Sequence, residues 1–301
     1  MGIVFTSGAL HARNGGTKIY NLCTKLLREH GYDACIATQD GTYEPWLVEH
    51  QPVISYAQAR KMDAPKVVTG WLMTPELETF GPIYYFDAEL KWTLHFRSML
   101  EHLLDAGHLA GIATHNRYIQ AWYMATYGIT PTLIREWSDT DIFYPDEAER
   151  VPGRIGCMPD DPGSREVYER LRAEFGDRVV IVQGSEQQVA DTMRTVDVFA
   201  GLNPGKHPLW GEGCPRTQQE AMHCGCVLVA YDVMGNQEYL YDGWTGRIVE
   251  RGDQEGFVET ITHLLGHPEE KEQLRRHGID LARALFSDQG KIELMRRWLG
   301  L

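Results

Sequence analysis

Hydrophobic positions along the chain alternate between short apolar runs and longer stretches with a helical period. Near the N-terminus, the apolar run Ile3–Phe5 is followed by a polar loop and then by the segment Thr17–His30. In that segment apolar residues recur every three or four positions, which predicts one buried face of a helix. Gly31 ends the segment, and a second apolar run, Ala34–Ala37, follows it. This order predicts a right-handed βαβ unit whose first loop lies at the carboxyl edge of a parallel sheet.

The same alternation continues through the rest of the chain. It predicts further strands at Val53–Tyr56, Val67–Gly70, Gly111–Thr114, Thr132–Ile134, Ile155–Met158, Val179–Val182 and Val196–Ala200, and further helices at Ser164–Phe175, Ser185–Arg194, Gln254–Leu265, Glu269–Leu285 and Gln289–Leu299. The charged, proline-bounded stretch Pro145–Pro152 is the best candidate for a linker.

The segment from Trp71 to Trp92 is unusually rich in aromatic residues. Three interpretations are open. It is a lid, a platform for an acceptor substrate, or a loop that packs its rings onto the domain.

The stretch Gly211–Ala230 combines a glycine-rich loop, a short amphipathic helix and a buried strand. Pro215 suits the first turn of a helix, where its missing N–H is not needed. Good helix formers fill Thr217–His223, Gly225 is placed to end the helix, and Val227–Ala230 reads as a parallel strand. Such a loop and helix N-terminus present unpaired N–H groups and a positive dipole end to an anion.

Two carboxylates, Glu212 and Glu220, belong to the same stretch and are separated by seven residues. A pair with this spacing is common by chance on a solvated helix face. Here it occurs together with the glycine-rich approach, Pro215 and the buried strand. Carboxylates accept hydrogen bonds from neutral hydroxyls. A site that offers amides to phosphate and carboxylates to hydroxyls suits a nucleotide-sugar.

The residues EGCPRTQQEAMHCGCVLV resemble the Glu-x7-Glu donor signature of retaining, family-4 glycosyltransferases, and Gly235, Glu238 and Gly243 also fit that pattern. The resemblance implies an α/β fold of the GT-B type, in which two Rossmann-like, doubly wound domains face each other across a cleft. The implied domains are an acceptor-side domain at residues 1–148, a nucleotide-sugar-binding domain at 149–284 and a final helix at 285–301 that crosses back to the first domain. The aromatic segment resembles a rhamnosyltransferase-like branch.

The resemblance also assigns roles and exposes two departures from the family pattern. Glu212 is expected to hold the transferred sugar, and Glu220 the ribose. The usual Arg and Lys-Gly after the first strand of the second domain are replaced by CMPDDPGS, so Lys206 or Arg216 is expected to contact the diphosphate. A His usual in the first domain is replaced by Trp71, which makes His115 the nearest catalytic substitute, although a lone His at a strand end is more often structural. The expected donor-binding residues are Gly15, Gly16, Gly184, Gly213, Cys214, Pro215, Thr217 and Glu220.

Composition narrows the classes of function and partner. The length of 301 residues suggests two domains, and the net charge of −13 argues against nucleic acid and leaves at most a peripheral contact with membranes. No stretch approaches the ~20 apolar residues of a membrane span, and the start of the chain reads as a strand, not a signal peptide. Six cysteines without metal-ligand spacing fit reduced thiols in the cytoplasm.

The expected activity is transfer of a sugar from a nucleoside diphosphate sugar to an acceptor hydroxyl, with retention of configuration. No metal is expected at the candidate donor site, because the stretch Gly211–Ala230 contains no Asp-x-Asp pair to bridge a divalent ion to diphosphate. No cofactor is expected besides the donor substrate. Polysaccharide, glycolipid and small-molecule natural product acceptors all stay open, as do the base, the sugar and the oligomeric state. Two alternatives are a non-catalytic nucleotide- or sugar-binding protein of this fold, and an inverting or epimerising relative, which needs a general base.

Overall fold

A computed structural model describes residues 2–7, 15–42, 46–70, 83–160, 162–203, 213 and 215–301. The chain divides into two compact units. The first comprises Met1–Glu136 together with Asp288–Leu301, and the second comprises Trp137–Ser287. The sequence predicts domain boundaries after residues 148 and 284.

The first unit is built on a seven-stranded parallel sheet in the order β3-β2-β1-β4-β5-β6-β7. Its strands are β1 (Ile3–Thr6), β2 (Ala34–Thr38), β3 (Val53–Ser55), β4 (Lys66–Thr69), β5 (Ile83–Asp87), β6 (Leu109–Thr114) and β7 (Thr132–Leu133). The helices between them are α1 (Gly15–Glu29), α2 (Tyr56–Ala59), α3 (Leu90–His95), α4 (Arg97–Asp105) and α5 (Arg117–Tyr127).

The interior strand β5 lies within the aromatic segment, for which the sequence left three interpretations open: a lid, a platform or a packing loop. Residues 71–82 of that segment lie outside the described residues. All five residues of Ile83–Asp87 are buried, and the strand pairs with β4 and β6. The loop assignment is therefore wrong for this part, whereas the packing of its rings onto the domain is confirmed, since Tyr84, Tyr85 and Phe86 are buried. Its run of apolar residues does not alternate because both faces of a central parallel strand are covered.

The second unit is built on a five-stranded parallel sheet in the order β12-β11-β10-β8-β9. Its strands are β8 (Ile155–Cys157), β9 (Val179–Ile181), β10 (Val198–Gly201), β11 (Val227–Tyr231) and β12 (Gly246–Val249). Its helices are α6 (Pro162–Phe175), α7 (Glu186–Thr195), α8 (Arg216–His223), α9 (Gln254–Gly266) and α10 (Pro268–Phe286).

The strand order of the second sheet reverses between β8 and β10. From β8 the chain continues to β9 on one side, and then returns to β10 on the other side. In open α/β sheets, ligands bind beyond the carboxyl ends of the strands at such a reversal, because the loops diverge there and leave a crevice. The topology therefore singles out the loops after β8 and β10.

The last helix, α11 (Lys291–Leu299), belongs to the first unit. Its Trp298 ring packs 5.3 Å from the Phe86 ring and lies against Gly111 in β6. A Cβ atom at Gly111 would be 3.1 Å from Trp298, so the absence of a side chain there lets the indole approach the strand.

A buried carboxyl group ends strand β5. Asp87 is fully buried and accepts hydrogen bonds from the hydroxyl of Thr93 at 2.6 Å, the hydroxyl of Tyr123 at 3.0 Å and the backbone N–H of Glu89 at 3.2 Å. Burial raises the pKa of Asp87 to about 6, against the opposing effect of these hydrogen bonds.

This pKa predicts a pH dependence of stability. The folded state binds the Asp87 proton more tightly than the unfolded state does. The protonated carboxyl group therefore contributes its full stabilisation below about pH 4, and this stabilisation is lost as the pH rises through about 6. Asp87→Asn should remove this loss. Between pH 4 and pH 7, the free energy of unfolding of the variant should gain up to about 3 kcal/mol relative to wild type. Urea unfolding across this range measures it. The exposed Asp63→Asn serves as control, and an unchanged pH dependence in Asp87→Asn would contradict the prediction.

Candidate functional site

A pocket of about 170 Å³ lies at the strand-order reversal of the second sheet. Met158 and Asp160, which follow β8, form one side, and the end of β10 with residues 202–203 forms another. The start of α8 closes it with residues 215–218. The pocket thus joins the two loops that the topology singles out to the N-terminus of a helix.

The first turn of α8 offers hydrogen-bond donors to this pocket. Pro215 occupies the N-cap position and contributes no N–H, while the N–H of Gln218 donates to the Pro215 carbonyl at 3.0 Å. The N–H of Thr217, at the second helical position, has no intrahelical acceptor because it precedes the first helical hydrogen bond. Together with the positive end of the helix dipole, this arrangement favours an anion.

Gly235 lies very close to Gly213 and Pro215, the two described residues that precede α8. A Cβ atom on Gly235 would lie 2.5 Å from the carbonyl carbon and oxygen of Gly213, and 2.6 Å from Cδ of Pro215. The short 3₁₀ turn Met234–Asn236 therefore lies in direct backbone contact with the loop. Only glycine permits this approach.

Arg216 and Glu220 form a buried ion pair one turn apart on α8. Arg216 Nε lies 3.2 Å from Glu220 Oε1, and Arg216 Nη2 donates to the carbonyl of Trp137 at 2.7 Å. Arg216 is one of the residues that line the pocket, and its guanidinium contacts a carboxylate and a main-chain carbonyl. One turn further on, burial lowers the pKa of His223 to about 4, so this ring is neutral near pH 7.

The structure brings five of the predicted site residues together: Gly213, Pro215, Arg216, Thr217 and Glu220. Glu212, Lys206 and Cys214 lie outside the described residues, so their predicted roles stay predictions. Gly15 and Gly16 begin α1 in the first unit.

Gly184 lies in the second unit, just before the N-cap of α7. Its φ of +121° is one that only glycine adopts readily, and a Cβ atom there would be 2.4 Å from Oε1 of Gln188. Its predicted contact with the donor stays a prediction.

His115 lies at the end of β6 in the first unit and is buried. Its Nε2 lies 3.3 Å from Oε1 of Glu136, and its ring lies 4.4 Å from that of Phe86. The following residue, Asn116, caps α5 by accepting a hydrogen bond from the N–H of Ile119 at 3.1 Å. The contacts with Glu136 and Phe86 describe what a structural role of His115 would consist of. Its catalytic role stays a prediction.

The loop after β8 carries no cation into the pocket. Cys157, the last residue of β8, is buried, and burial raises the pKa of its thiol to about 12. Asp160 lines the pocket instead. Among the described residues that line it, Arg216 is the one Lys or Arg.

Sequence reasoning missed Gln218, which lines the pocket between the two predicted carboxylate positions. Its Oε1 accepts hydrogen bonds from Nδ2 of Asn236 at 3.2 Å and from the hydroxyl of Tyr239 at 3.2 Å. In the sequence Gln218 is an ordinary helix former. Its only signal is helical spacing, which places it on a different face of α8 from Arg216 and Glu220.

Known proteins resemble this chain in part of its sequence and in its fold. Residues 155–267 match the model of the family described as "Glycosyl transferases group 1". No curated protein sequence matches the chain. In the described part of the chain, none of the helices has the length and apolarity that a membrane span requires.

Three solved structures show the similarity of fold. HepE from Anabaena, in complex with UDP-glucose, has a TM-score of 0.73 at 13% identity and covers 100% of both chains. Sucrose-phosphate synthase from Thermosynechococcus elongatus has a TM-score of 0.70 at 16% identity, over 98% of this chain and 97% of that one. WaaG, a glycosyltransferase involved in lipopolysaccharide biosynthesis, has a TM-score of 0.64 at 14% identity, over 99% and 100%. The two parallel-sheet α/β domains therefore match GT-B glycosyltransferase structures.

The backbone contact of Gly235 predicts the cost of a single methyl group. Gly235→Ala should force Gly213 and Pro215 away from the 3₁₀ turn, and should lower the free energy of unfolding by about 1–3 kcal/mol, as overpacking does. Gly266→Ala is the matched control, because nothing lies within 4 Å of a Cβ atom there. Thermal unfolding of both variants measures the difference. Equal free energies of unfolding of the two variants would contradict the prediction, because they would show that Gly213 and Pro215 can move away from the added methyl group without loss of stability.

Proposed function

We propose that this protein is a retaining glycosyltransferase that moves a sugar from a nucleoside diphosphate sugar to an acceptor hydroxyl without a metal ion. The observation that carries the proposal is the pocket at the strand-order reversal, into which the N-terminus of α8 is directed. The family match over residues 155–267, which includes this pocket, supports it.

The leaving diphosphate is the centre of the proposed mechanism. It gains negative charge as the bond to the sugar breaks, and fixed donors aimed at that charge lower the barrier without reorganising. The N–H groups in the first turn of α8 supply such donors, and a cation, Lys206 or Arg216, adds to them. Glu212 holds hydroxyls of the transferred sugar, and Glu220 accepts the ribose hydroxyls.

The ion pair with Arg216 has a consequence for Glu220. Removing one partner of a buried pair leaves an uncompensated charge, which typically costs ~3–5 kcal/mol of stability. Truncation of Glu220 would therefore confuse a loss of donor binding with a loss of folding. Glu220→Gln also removes the charge, but it keeps the shape of the side chain and one acceptor oxygen for Arg216, so it is the milder probe, and its free energy of unfolding is measured together with its affinity.

A uridine diphosphate sugar is the proposed donor. HepE was solved in complex with UDP-glucose, with UDP and glucose, and with UDP. The acceptor is a glycan or a small molecule with a free hydroxyl, and the cytoplasm is the proposed location.

A non-catalytic nucleotide- or sugar-binding protein is the second candidate. Asp160 lines the pocket where the resemblance leads one to expect a cation, which favours a site that binds a donor without activating it. Turnover separates the two candidates.

The proposed function is tested by ligand binding and then by turnover. UDP, ADP, GDP and TDP are compared by thermal shift, where a diphosphate at 100 times its Kd should stabilise the folded state by about 2.7 kcal/mol. Sugar derivatives of the diphosphate that stabilises the protein most are then assayed for transfer and for slow hydrolysis. Stabilisation without any turnover would favour the binding protein. Absence of stabilisation by all four diphosphates would refute the proposed donor class.

Two isosteric variants separate the roles of the carboxylates. Glu220→Gln should weaken the affinity for the nucleoside diphosphate by the ~1.5–3 kcal/mol of a charged hydrogen bond. Glu212→Gln should leave that affinity nearly unchanged and lower the transfer rate instead, because it contacts only the sugar. Calorimetry with the diphosphate and initial rates with the sugar donor provide the two readouts. Equal losses in both readouts for Glu212→Gln would place Glu212 at the nucleotide or in the fold.

A further inference from the structure

The side-chain amide of Gln218 is a buried polar group at the wall of the pocket. The residue is only 2% exposed, and it lines the pocket at the third position of α8. A buried amide without hydrogen-bond partners is costly, so the destination of each of its polar atoms is informative.

Two neighbours fix the orientation of this amide. Oε1 of Gln218 accepts from Nδ2 of Asn236 and from the hydroxyl of Tyr239, each at 3.2 Å, and the same hydroxyl lies 3.4 Å from the carbonyl of Pro215. Asn236 is itself oriented, because its Nδ2 also donates to the carbonyl of Tyr231 at 2.9 Å and its Oδ1 accepts from the N–H of Val233 at 3.4 Å. The oxygen of Gln218 therefore faces Asn236 and Tyr239, and its nitrogen faces the opposite way.

The nitrogen lies beside the carboxyl end of β10. A Cβ atom on Gly201, the last residue of that strand, would be 2.8 Å from Nε2 of Gln218. Gly201 lines the same pocket, so its missing side chain leaves room for the amide there. Among the described residues, Nε2 has no acceptor. Its two protons are thus presented to the pocket by a rigid, buried scaffold.

The first turn of α8 supplies a further donor to the wall of this pocket, which Thr217 also lines. The N–H of Thr217 lies in the same first turn, at the positive end of α8. The N–H of Thr217 and the two N–H groups of Nε2 together suit an anionic oxygen as ligand, because oriented N–H groups of this kind bind phosphate in other proteins. A ligand hydroxyl would find a better acceptor in Asp160 than in Gln218, because the oxygen of Gln218 is already occupied.

We propose that Nε2 of Gln218 donates a hydrogen bond to a phosphate oxygen of the nucleoside diphosphate. This proposal rests on the proposed function and adds a residue to it. A neutral amide, oriented by Asn236 and Tyr239, supplies part of the stabilisation that the missing cations would provide. The diphosphate is held by dipoles of α8 and Gln218 next to the acidic Asp160.

The test measures how binding depends on the number of phosphates. The nucleoside series is chosen as the one whose diphosphate binds to wild type, among uridine, adenosine, guanosine and thymidine. Calorimetry then measures the affinities for pyrophosphate and for the nucleoside, its monophosphate and its diphosphate. Gln218→Met should lower the affinity for the diphosphate about tenfold to a hundredfold and leave nucleoside affinity unchanged, since a hydrogen bond to a charged group is lost. Gln218→Glu should lower it further, because a carboxylate replaces the donor.

Matched variants separate this role from a structural one. Gln273→Met and Gln273→Glu make the same changes at an exposed position of α10 and should not alter binding. Tyr239→Phe removes one of the two groups that orient the amide and should cause a smaller loss with the same dependence on phosphate. This variant also tests the proposal if Gln218→Met fails to fold.

The outcomes are distinct. Equal diphosphate affinity in wild type and Gln218→Met would overturn the proposal. If Gln218→Met fails to fold, equal diphosphate affinity in wild type and Tyr239→Phe would overturn it. An equal loss of affinity for the nucleoside and for the diphosphate would also overturn it. If no nucleoside diphosphate binds to wild type, the proposed function fails, and pyrophosphate alone decides about Gln218. Weaker pyrophosphate binding in Gln218→Met than in Gln273→Met would then support the anion site, and no pyrophosphate binding by wild type would overturn it.

Discussion

Close backbone approach around the N-terminus of α8 is the constraint on which the candidate site depends. The helix must begin where the strand order of the second sheet reverses, because only there do the diverging loops leave a crevice. Two glycines make this position possible. Gly235 lies against the carbonyl of Gly213, and Gly201 leaves room for the amide of Gln218. A side chain at either position would meet atoms less than 3 Å away, so the shape of the pocket is set by the absence of Cβ atoms.

Buried polar groups then orient the wall of this pocket through two sets of hydrogen bonds. In one, Arg216 contacts both Glu220 and the carbonyl of Trp137. In the other, Asn236 and Tyr239 hold the amide of Gln218. Polar groups withdrawn from water are costly unless they are paired, so each network fixes its side chains firmly. A pocket wall of this kind would recognise an anion through fixed dipoles more than through mobile charges. Fixed dipoles are well suited to stabilise a leaving group whose negative charge grows during the reaction.

Local signals in the sequence predicted most of the elements of the fold. The helical stripe after Gly16, the apolar runs of the strands and the loop, helix and strand around Pro215 were legible because each depends on neighbours in sequence. No element was predicted at β12 or at α2 to α5, and at β5 the aromatic residues also suited a binding loop. Aromatic residues fit an exposed platform as well as a buried strand, so composition alone did not separate the two.

The sequence by itself determined that an α/β chain carries a glycine-rich loop and a helix suited to an anion, with Glu212 and Glu220 seven residues apart. Only the tertiary structure decided that Arg216 also donates to the carbonyl of Trp137, and that Asn236 and Tyr239 hold the amide of Gln218. The partners of these side chains explain the difference. Trp137 is 79 residues from Arg216, and Tyr239 is 21 residues from Gln218. Periodicity reports which face of a helix is buried, but hydrogen-bond partners at such separations are chosen by the packing of the whole unit.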